Sequence, residues 1–295
     1  MDKLLFIVNP VAGAGRAKKS VSIIENRLKN ENVEFKIVFT KAPKEATQLA
    51  EQYANEYSLI VAVGGDGTVN EVAQGVLNSG KGIFGVLPCG TGNDYSKSIG
   101  IPSKVEEALE VILRGHTMEV DVAKINGYNI FNIASVGFDV DVLIRTNSIK
   151  KKVKNRFAYI LGVFSALFGF KKKQFNFIID DVEYRRNLVL LAVGKGKYYG
   201  GGLKVLPDAD LTDNKLHVCL VRNLSNLNLL FLFPSIFNGK HIKFKKYVEA
   251  FSASKIIIEN STEMNINIDG EVIQSDKDIV IELEKAKLKV ISNPA

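Results

Sequence analysis

Leu59-Ile60-Val61-Ala62-Val63-Gly64-Gly65-Asp66-Gly67-Thr68-Val69-Asn70-Glu71 is the stretch on which the reading of this chain turns. Its first five residues are an unbroken apolar run, the pattern of a strand buried on both faces. Glycines follow at once, and a helical pattern, Asn70–Asn78, follows them. A glycine-rich turn of this kind lets the backbone approach a phosphate chain closely. The helix start adds free N–H groups and a favourable dipole, and Thr68 adds a hydroxyl donor. Asp66 would repel phosphate unless a cation stands between them, and Mg²⁺ bridging carboxylate and phosphate oxygens resolves that conflict. The alternative is a plain glycine-rich turn in which Asp66 caps a helix.

The same strand–loop–helix unit recurs on either side. Leu4–Val8 reads as a further buried strand, Phe35–Phe39 and Ile83–Leu87 as strands, and Arg16–Asn30, Lys44–Tyr57 and Val105–Leu113 as helices. This alternation predicts an α/β domain with a doubly wound, parallel-type sheet, which binds ligands beyond the carboxyl ends of its strands. Two more small-residue loops fall at such ends. Asn9-Pro10-Val11-Ala12-Gly13-Ala14-Gly15 resembles a dinucleotide fingerprint but carries Lys18 in place of the third glycine. Pro88-Cys89-Gly90-Thr91-Gly92-Asn93-Asp94 follows the fourth strand, and no Walker A motif is present. Any one loop could be a turn, but three at one sheet edge point to a nucleotide site.

Past Glu119 the pattern changes. Strand-like segments follow one another at Glu119–Ile125, Tyr128–Val136, Phe175–Ile179, Asn187–Val193, Leu216–Val221, Lys255–Ile258, Asn265–Ile268, Ile279–Leu283 and Leu288–Ile291, with helical patterns only at Phe157–Phe168 and Leu227–Phe237. The expected organisation is a nucleotide-binding domain over residues 1–120 and a mostly antiparallel β-sandwich over 121–285. The tail, 286–295, is expected to return to the first domain.

Composition narrows the partners. The 295 residues are 46% hydrophobic and 24% charged, the balance of a folded globular protein, with a net charge of +7. The two cysteines make neither a disulfide framework nor a zinc cluster, and the three histidines have no metal-ligand spacing. The first apolar run is too short for a secretory signal core and the longest, Phe157–Phe170, too short to span a bilayer, so a cytoplasmic location is expected. Lysines and Arg156 flank that longest run between Lys150 and Lys173, and a second basic patch spans Lys240–Lys246. Such a segment either lies at an anionic membrane surface, dipping its apolar face into the interface, or is a core helix with solvated flanks. The basic residues do not interleave with stacking aromatics, which argues against nucleic acid.

Taken in order, Asn9-Pro10, Gly64–Glu71, Gly90–Asp94, Phe131-Asn132-Ile133-Ala134-Ser135-Val136-Gly137-Phe138-Asp139, Gly200-Gly201-Gly202, Pro207, Asp213 and Asp269-Gly270-Glu271 resemble the diacylglycerol kinase catalytic family, which includes bacterial soluble lipid kinases and sphingosine kinases and is related to NAD kinases. The resemblance implies ATP-dependent phosphorylation of a lipid hydroxyl, with diacylglycerol the expected acceptor and phosphatidylglycerol, a sphingoid base or NAD the alternatives. It implies that Asp66 orients Mg²⁺–ATP. Asn9, Pro10, Thr40, Gly64, Gly65, Gly67, Thr68, Asn70, Glu71, Gly90, Thr91 and Asn93 line the nucleotide cleft in that picture. Glu271 is the implied general base, supported by Asp269 and Asp121. Phosphoryl transfer needs positioning, charge neutralisation and one carboxylate near the attacking oxygen, so these roles are chemically sound. Without the family, Asp269-Gly270-Glu271 reads first as a hairpin turn. A structural Mg²⁺ is also implied at Asp210, Asp213 and Lys215, partly through backbone carbonyls; the family's glycine after that aspartate is here Asn214, which tolerates left-handed backbone. The expected partners are thus ATP and a lipid at an anionic membrane surface by peripheral association, with no transmembrane span and room for a homodimer.

Overall fold

The apolar runs of the first third become parallel strands in a computed structural model that describes residues 3–29, 31, 33–150, 173–222, 224–259 and 263–294. Strands β1 (Lys3–Val8), β2 (Glu34–Phe39), β3 (Leu59–Gly64) and β4 (Ile83–Pro88) pair in the order β2-β1-β3-β4, all parallel. Every side chain of Leu4–Val8 and Leu59–Val63 is buried, so both faces of this sheet are covered. Helices α1 (Ala12–Leu28), α2 (Glu45–Tyr53), α3 (Asp66–Ser79), α4 (Asp94–Ser98) and α5 (Val105–Arg114) fill the connections. Helices α3 and α5 stop at Gly80 and Gly115, each left-handed, which satisfies the last carbonyls of the helix. Helix α3 starts at Asp66 rather than Asn70, so the glycine-aspartate-glycine-threonine run is itself the first helical turn.

Two units make up the chain. One contains Met1–Val122, Gly200–Gly202 and Glu284–Ala295; the other contains Ala123–Tyr199 and Leu203–Leu283. The second unit is antiparallel throughout. Its strands β7 (Ile133–Gly137), β8 (Lys173–Ile179), β9 (Val182–Gly194), β10 (Leu216–Arg222), β11 (Val248–Ala253), β12 (Lys255–Glu259), β13 (Met264–Ile268) and β14 (Glu271–Ser275) build the sandwich. Strand β9 changes partners near Leu188: its first half pairs with β8, its second with β7 on one edge and β10 on the other. Phe175, Phe177, Leu191, Val193, Ile256 and Ile258 are among the residues of its inner core.

Some boundaries differ from expectation for local reasons. The run Tyr128–Val136 divides into β6 (Tyr128–Ile130) and β7, because the N–H groups of Phe131, Asn132 and Ile133 turn to the Asp269 carboxylate instead of a neighbouring strand. Ile279–Ile291 is one strand, β15, following β5 (Thr117–Ile125) and β6 in numbering as the last of the chain. Leu227–Phe237 is a short helix, α7 (Asn226–Leu232), followed by a 3₁₀ turn over Phe233–Ile236 that contains Pro234. An unanticipated helix, α6 (Phe138–Lys150), follows β7. Residues 151–172, and with them the apolar stretch Phe157–Phe170, lie outside the described residues. Among the described residues, no helix is long and apolar enough to cross a membrane.

Candidate active site

In the first unit the strand-end loops come together as one body. Asn9 leaves β1 with its N–H on Val63 O at 3.0 Å and donates from Nδ2 to Thr68 Oγ1 at 3.1 Å. Thr40 leaves β2 with its N–H on Val8 O at 2.9 Å. The first and third loops approach so closely that a Cβ on Gly13 would lie 1.9 Å from Cys89 O, and Gly13, Ala14 and Gly15 run through successive left-handed conformations to allow it. Arg16 ties the same two loops, donating to Gly13 O and Gly90 O. Between the second and third loops, a Cβ on Gly90 would stand 2.4 Å from Gly65 Cα and 2.8 Å from Asn93 Oδ1. Backbone against backbone cannot yield, so Gly90→Ala is expected to lose about 1–3 kcal/mol of stability, read by urea denaturation. A wild-type midpoint would mean that the two loops do not touch.

Asp66 lies at the centre of this body. Its Oδ2 accepts the Asn93 N–H at 2.9 Å and its Oδ1 the Asp94 N–H at 2.7 Å, so it caps α4, the helix of the third loop, rather than its own helix. Gly92 leaves the carboxylate uncovered, since a Cβ there would meet Asp66 Oδ2 at 2.5 Å. Asp94 is buried beside it and accepts the Gly201 N–H at 2.8 Å and Lys97 Nζ at 3.2 Å. Burial pushes the Asp94 carboxyl up from its ordinary value; the Gly201 N–H opposes this, the Asp66 charge adds to it, and Lys97 opposes it. Two adjacent carboxylates, one held up by burial and its neighbour, suit a divalent cation that also meets phosphate oxygens.

The other candidates of this unit are distributed around the loops. Gly67 and Thr91 are exposed, Pro10 and Asn70 half-buried, and Gly64 buried with no room for a Cβ beside Thr68. Asn93 holds Gly90 O through Nδ2 at 3.1 Å. Glu71 turns away to α2, where its carboxylate accepts the Ala46 N–H at 3.3 Å and its backbone carbonyl the Thr47 hydroxyl. Asp121 is buried and paired with Lys287 Nζ at 3.0 Å.

In the second unit, Asp269 and Gly270 are the two left-handed residues of a tight β13–β14 hairpin, with φ of +49° and +97°. The Asp269 carboxylate accepts the N–H groups of Phe131, Asn132 and Ile133 at 2.8, 3.0 and 2.9 Å, which fixes the turn. Glu271, the next residue, is exposed. The Gly270 N–H donates to Asn267 Oδ1 at 2.9 Å, and Asn267 Nδ2 in turn reaches Ser135 Oγ at 3.1 Å and Asp139 Oδ2 at 3.3 Å. Burial pushes the Asp139 carboxyl up from its ordinary value. Asp139 lines an apolar cavity of about 50 Å³, walled by Phe138, Val189, Leu203, Leu229, Leu232 and Phe233. Asp139 Oδ1 and His241 Nδ1, which also belong to this wall, have no hydrogen-bond partner among the described residues.

At the third group of candidates, Asn214 adopts the left-handed conformation its type allows, with φ of +55°. Asp213 Oδ1 is met by Lys195 Nζ at 2.5 Å and Asp213 Oδ2 by His217 Nε2 at 2.9 Å. Lys195 Nζ also donates to Lys215 O at 2.8 Å, and Asp210 Oδ1 accepts from the N–H and hydroxyl of Thr212.

Sequence reading placed Asp94 in the third loop without giving it a role of its own, and assigned none to Arg16, Lys195 or His241. Asn93-Asp94 is a cap-like pair and could have marked a helix, but α4 has five residues, too few for any periodicity. Arg16 and Lys195 carried no signal, because their partners are 74 and 18 residues away.

Residues 3–125 match the diacylglycerol kinase catalytic domain family, and residues 132–292 match the YegS C-terminal NAD kinase beta sandwich-like domain family. A diacylglycerol kinase of Staphylococcus epidermidis is 32% identical over 269 residues, spanning 90% of this chain and 84% of that one. One of Staphylococcus haemolyticus is 31% identical over 90% of this chain and 81% of its own. Among solved structures, a putative diacylglycerol kinase from Bacillus anthracis superposes with a TM-score of 0.84 at 28% identity, covering 99% of this chain and 96% of the other. With both family models matched along one chain and a diacylglycerol kinase 32% identical over 90% of it, the protein belongs to the diacylglycerol kinase family and is a lipid kinase.

Proposed function

We propose that this kinase uses Mg²⁺–ATP to phosphorylate the primary hydroxyl of a lipid, with diacylglycerol the first candidate and phosphatidic acid its product. The observation that carries the reading lies within the second unit. The hairpin tip bearing Glu271 is hydrogen-bonded through Gly270 and Asn267 to Asp139, a carboxyl in the wall of an otherwise apolar cavity. An acceptor with one hydroxyl on an apolar body fits that chemistry; a dinucleotide such as NAD does not. At about 50 Å³ the cavity is smaller than an acyl chain, so it would receive the hydroxyl end of such an acceptor rather than the whole of it.

In the first unit, Asp66 and Asp94 would hold Mg²⁺ together with phosphate oxygens, and the ion would neutralise charge developing on the transferred group. The Asn9, Gly65, Thr68 and Gly90 loops would position the phosphates. Glu271 would take the proton of the lipid hydroxyl as its oxygen attacks the γ-phosphorus and the bond to ADP breaks.

The roof of the cavity also supports peripheral membrane association. Leu229, Leu232, Phe233 and Ile236 face inward, while Leu227, Leu230, Phe231, Phe237 and Phe244 of the same segment are exposed, Phe231 at 75%. Lys240, Lys243, Lys245 and Lys246 are exposed in the same segment. Apolar side chains among lysines suit an anionic interface. Phe231→Asp is expected to weaken binding to phosphatidylglycerol-containing vesicles by about 10- to 100-fold, the equivalent of one aromatic side chain withdrawn from the interface, without changing the melting temperature. Unchanged sedimentation with vesicles would place the docking surface elsewhere.

The reaction itself is tested by transfer of labelled γ-phosphate from ATP to diacylglycerol, phosphatidylglycerol and a sphingoid base in mixed micelles, with NAD alongside. Label in diacylglycerol is the expected result. Label in NAD alone would move the assignment to the related NAD kinases.

A further inference from the structure

A structural divalent cation at Asp213 does not fit the residues present. Asp213 Oδ1 already accepts from Lys195 Nζ at 2.5 Å and from the Lys215 N–H at 3.2 Å, and Asp213 Oδ2 lies 2.9 Å from His217 Nε2, a nitrogen that also faces the Asp210 N–H at 3.2 Å. The Lys215 carbonyl, the backbone oxygen a metal would share, accepts the same ammonium at 2.8 Å. Asp210 Oδ1 is committed to Thr212. Among the described residues no group of three or more histidine, cysteine or acidic side chains is arranged to hold a metal ion.

We propose that the Lys195 ammonium is the resident cation of this turn, an internal substitute for a metal ion that makes the folding of the β-sandwich unit independent of Mg²⁺. Lys195 is fully buried, with 0% of its surface exposed, which for a lysine requires paired and hydrogen-bonded surroundings. It follows β9 directly, and its own N–H is anchored on Asn132 O at 3.0 Å, so the side chain springs from a fixed point of the sheet. A carboxylate and a backbone carbonyl converge on its nitrogen as oxygen ligands converge on a hard cation. The difference from a metal is permanence: a covalently attached ammonium cannot be chelated or diluted away. This inference concerns folding alone and does not depend on which substrate the kinase uses.

The test is the melting temperature of the full chain without nucleotide, in excess EDTA and in millimolar Mg²⁺, together with metal analysis of the purified protein. The wild type is expected to melt at the same temperature in both conditions and to carry no stoichiometric metal. Lys195→Met, which keeps the length and removes the charge, is expected to melt lower by ~10 °C in EDTA, because it strands a partly buried carboxylate, and to recover part of that loss in Mg²⁺. The double variant Lys195→Met with Asp213→Asn is expected to melt above the single one and to ignore Mg²⁺. A wild type that falls in EDTA, or that retains one metal per chain at this turn and loses it on Asp213→Asn, would overturn the proposal. So would a Lys195→Met protein indistinguishable from wild type. The wild-type measurements decide the question even if Lys195→Met fails to fold.

Discussion

Asp66→Asn is expected to lower kcat by on the order of 10³-fold or more while leaving a folded protein, because it removes one of the two carboxylates proposed to hold Mg²⁺ against the phosphates. The substitution also has a structural cost that the geometry makes explicit. Each oxygen of Asp66 accepts a backbone N–H, from Asn93 and from Asp94. An asparagine offers one oxygen and one NH₂, so one of those N–H groups would face another donor. Loss of a cap of this kind costs about 1–2 kcal/mol, enough to lower the melting temperature by a few degrees and too little to unfold the chain. The cation role and the cap role are separable by measurement. Loss of the cation site raises the Mg²⁺ concentration needed for ATP binding and turnover, whereas loss of the cap alone lowers stability and leaves the Mg²⁺ dependence where it was. Turnover within twofold of wild type would remove Asp66 from the proposed mechanism.

The plain alternative reading of this segment, a glycine turn with Asp66 as a helix cap, holds for a different helix from its own, since Asp66 caps α4. Which helix it caps was not legible, because the capped helix is five residues long and begins 28 residues later. The parallel sheet was legible, since strands covered on both faces must be apolar at every position, and Leu4–Val8 and Leu59–Val63 are. The sandwich was legible as a succession of strands but not in its pairing. Asp180-Asp181 and Asp269-Gly270 are both left-handed two-residue turns, yet only the second has the residue pair that announces one. The split of Tyr128–Val136 depends on a carboxylate 136 to 138 residues away, and no local pattern reports such a partner. Lys195 illustrates the same limit. A lysine after an apolar strand reads as the start of a solvated loop, and only the fold shows it wholly buried against Asp213. The turn itself was readable, because Asn214 is among the few residue types that accept the conformation the chain takes there.

Glu271→Gln is expected to reduce kcat by about 10²- to 10⁴-fold with little change in the affinity for ATP, the signature of a lost proton acceptor rather than a lost binding contact. The side chain is exposed and stands at the first position after a two-residue turn, opposite Ile268 in the β13–β14 register. Its amide analogue keeps the length and shape, so the turn is not disturbed. What holds the turn is Asp269, whose carboxylate gathers three backbone N–H groups of the β6–β7 connection. Asp269 is thus a positioning residue, and the pair of variants divides the two contributions. Asp269→Asn leaves at least one of those N–H groups without its acceptor and should cost about 1–3 kcal/mol of stability along with activity. Glu271→Gln should cost activity alone. Single-turnover measurements with saturating Mg²⁺–ATP isolate the chemical step from ATP binding. If the glutamine variant weakens ATP binding and leaves the single-turnover rate intact, Glu271 belongs to the binding surface and the base must be sought elsewhere, with Asp139 of the cavity wall the next carboxyl to substitute.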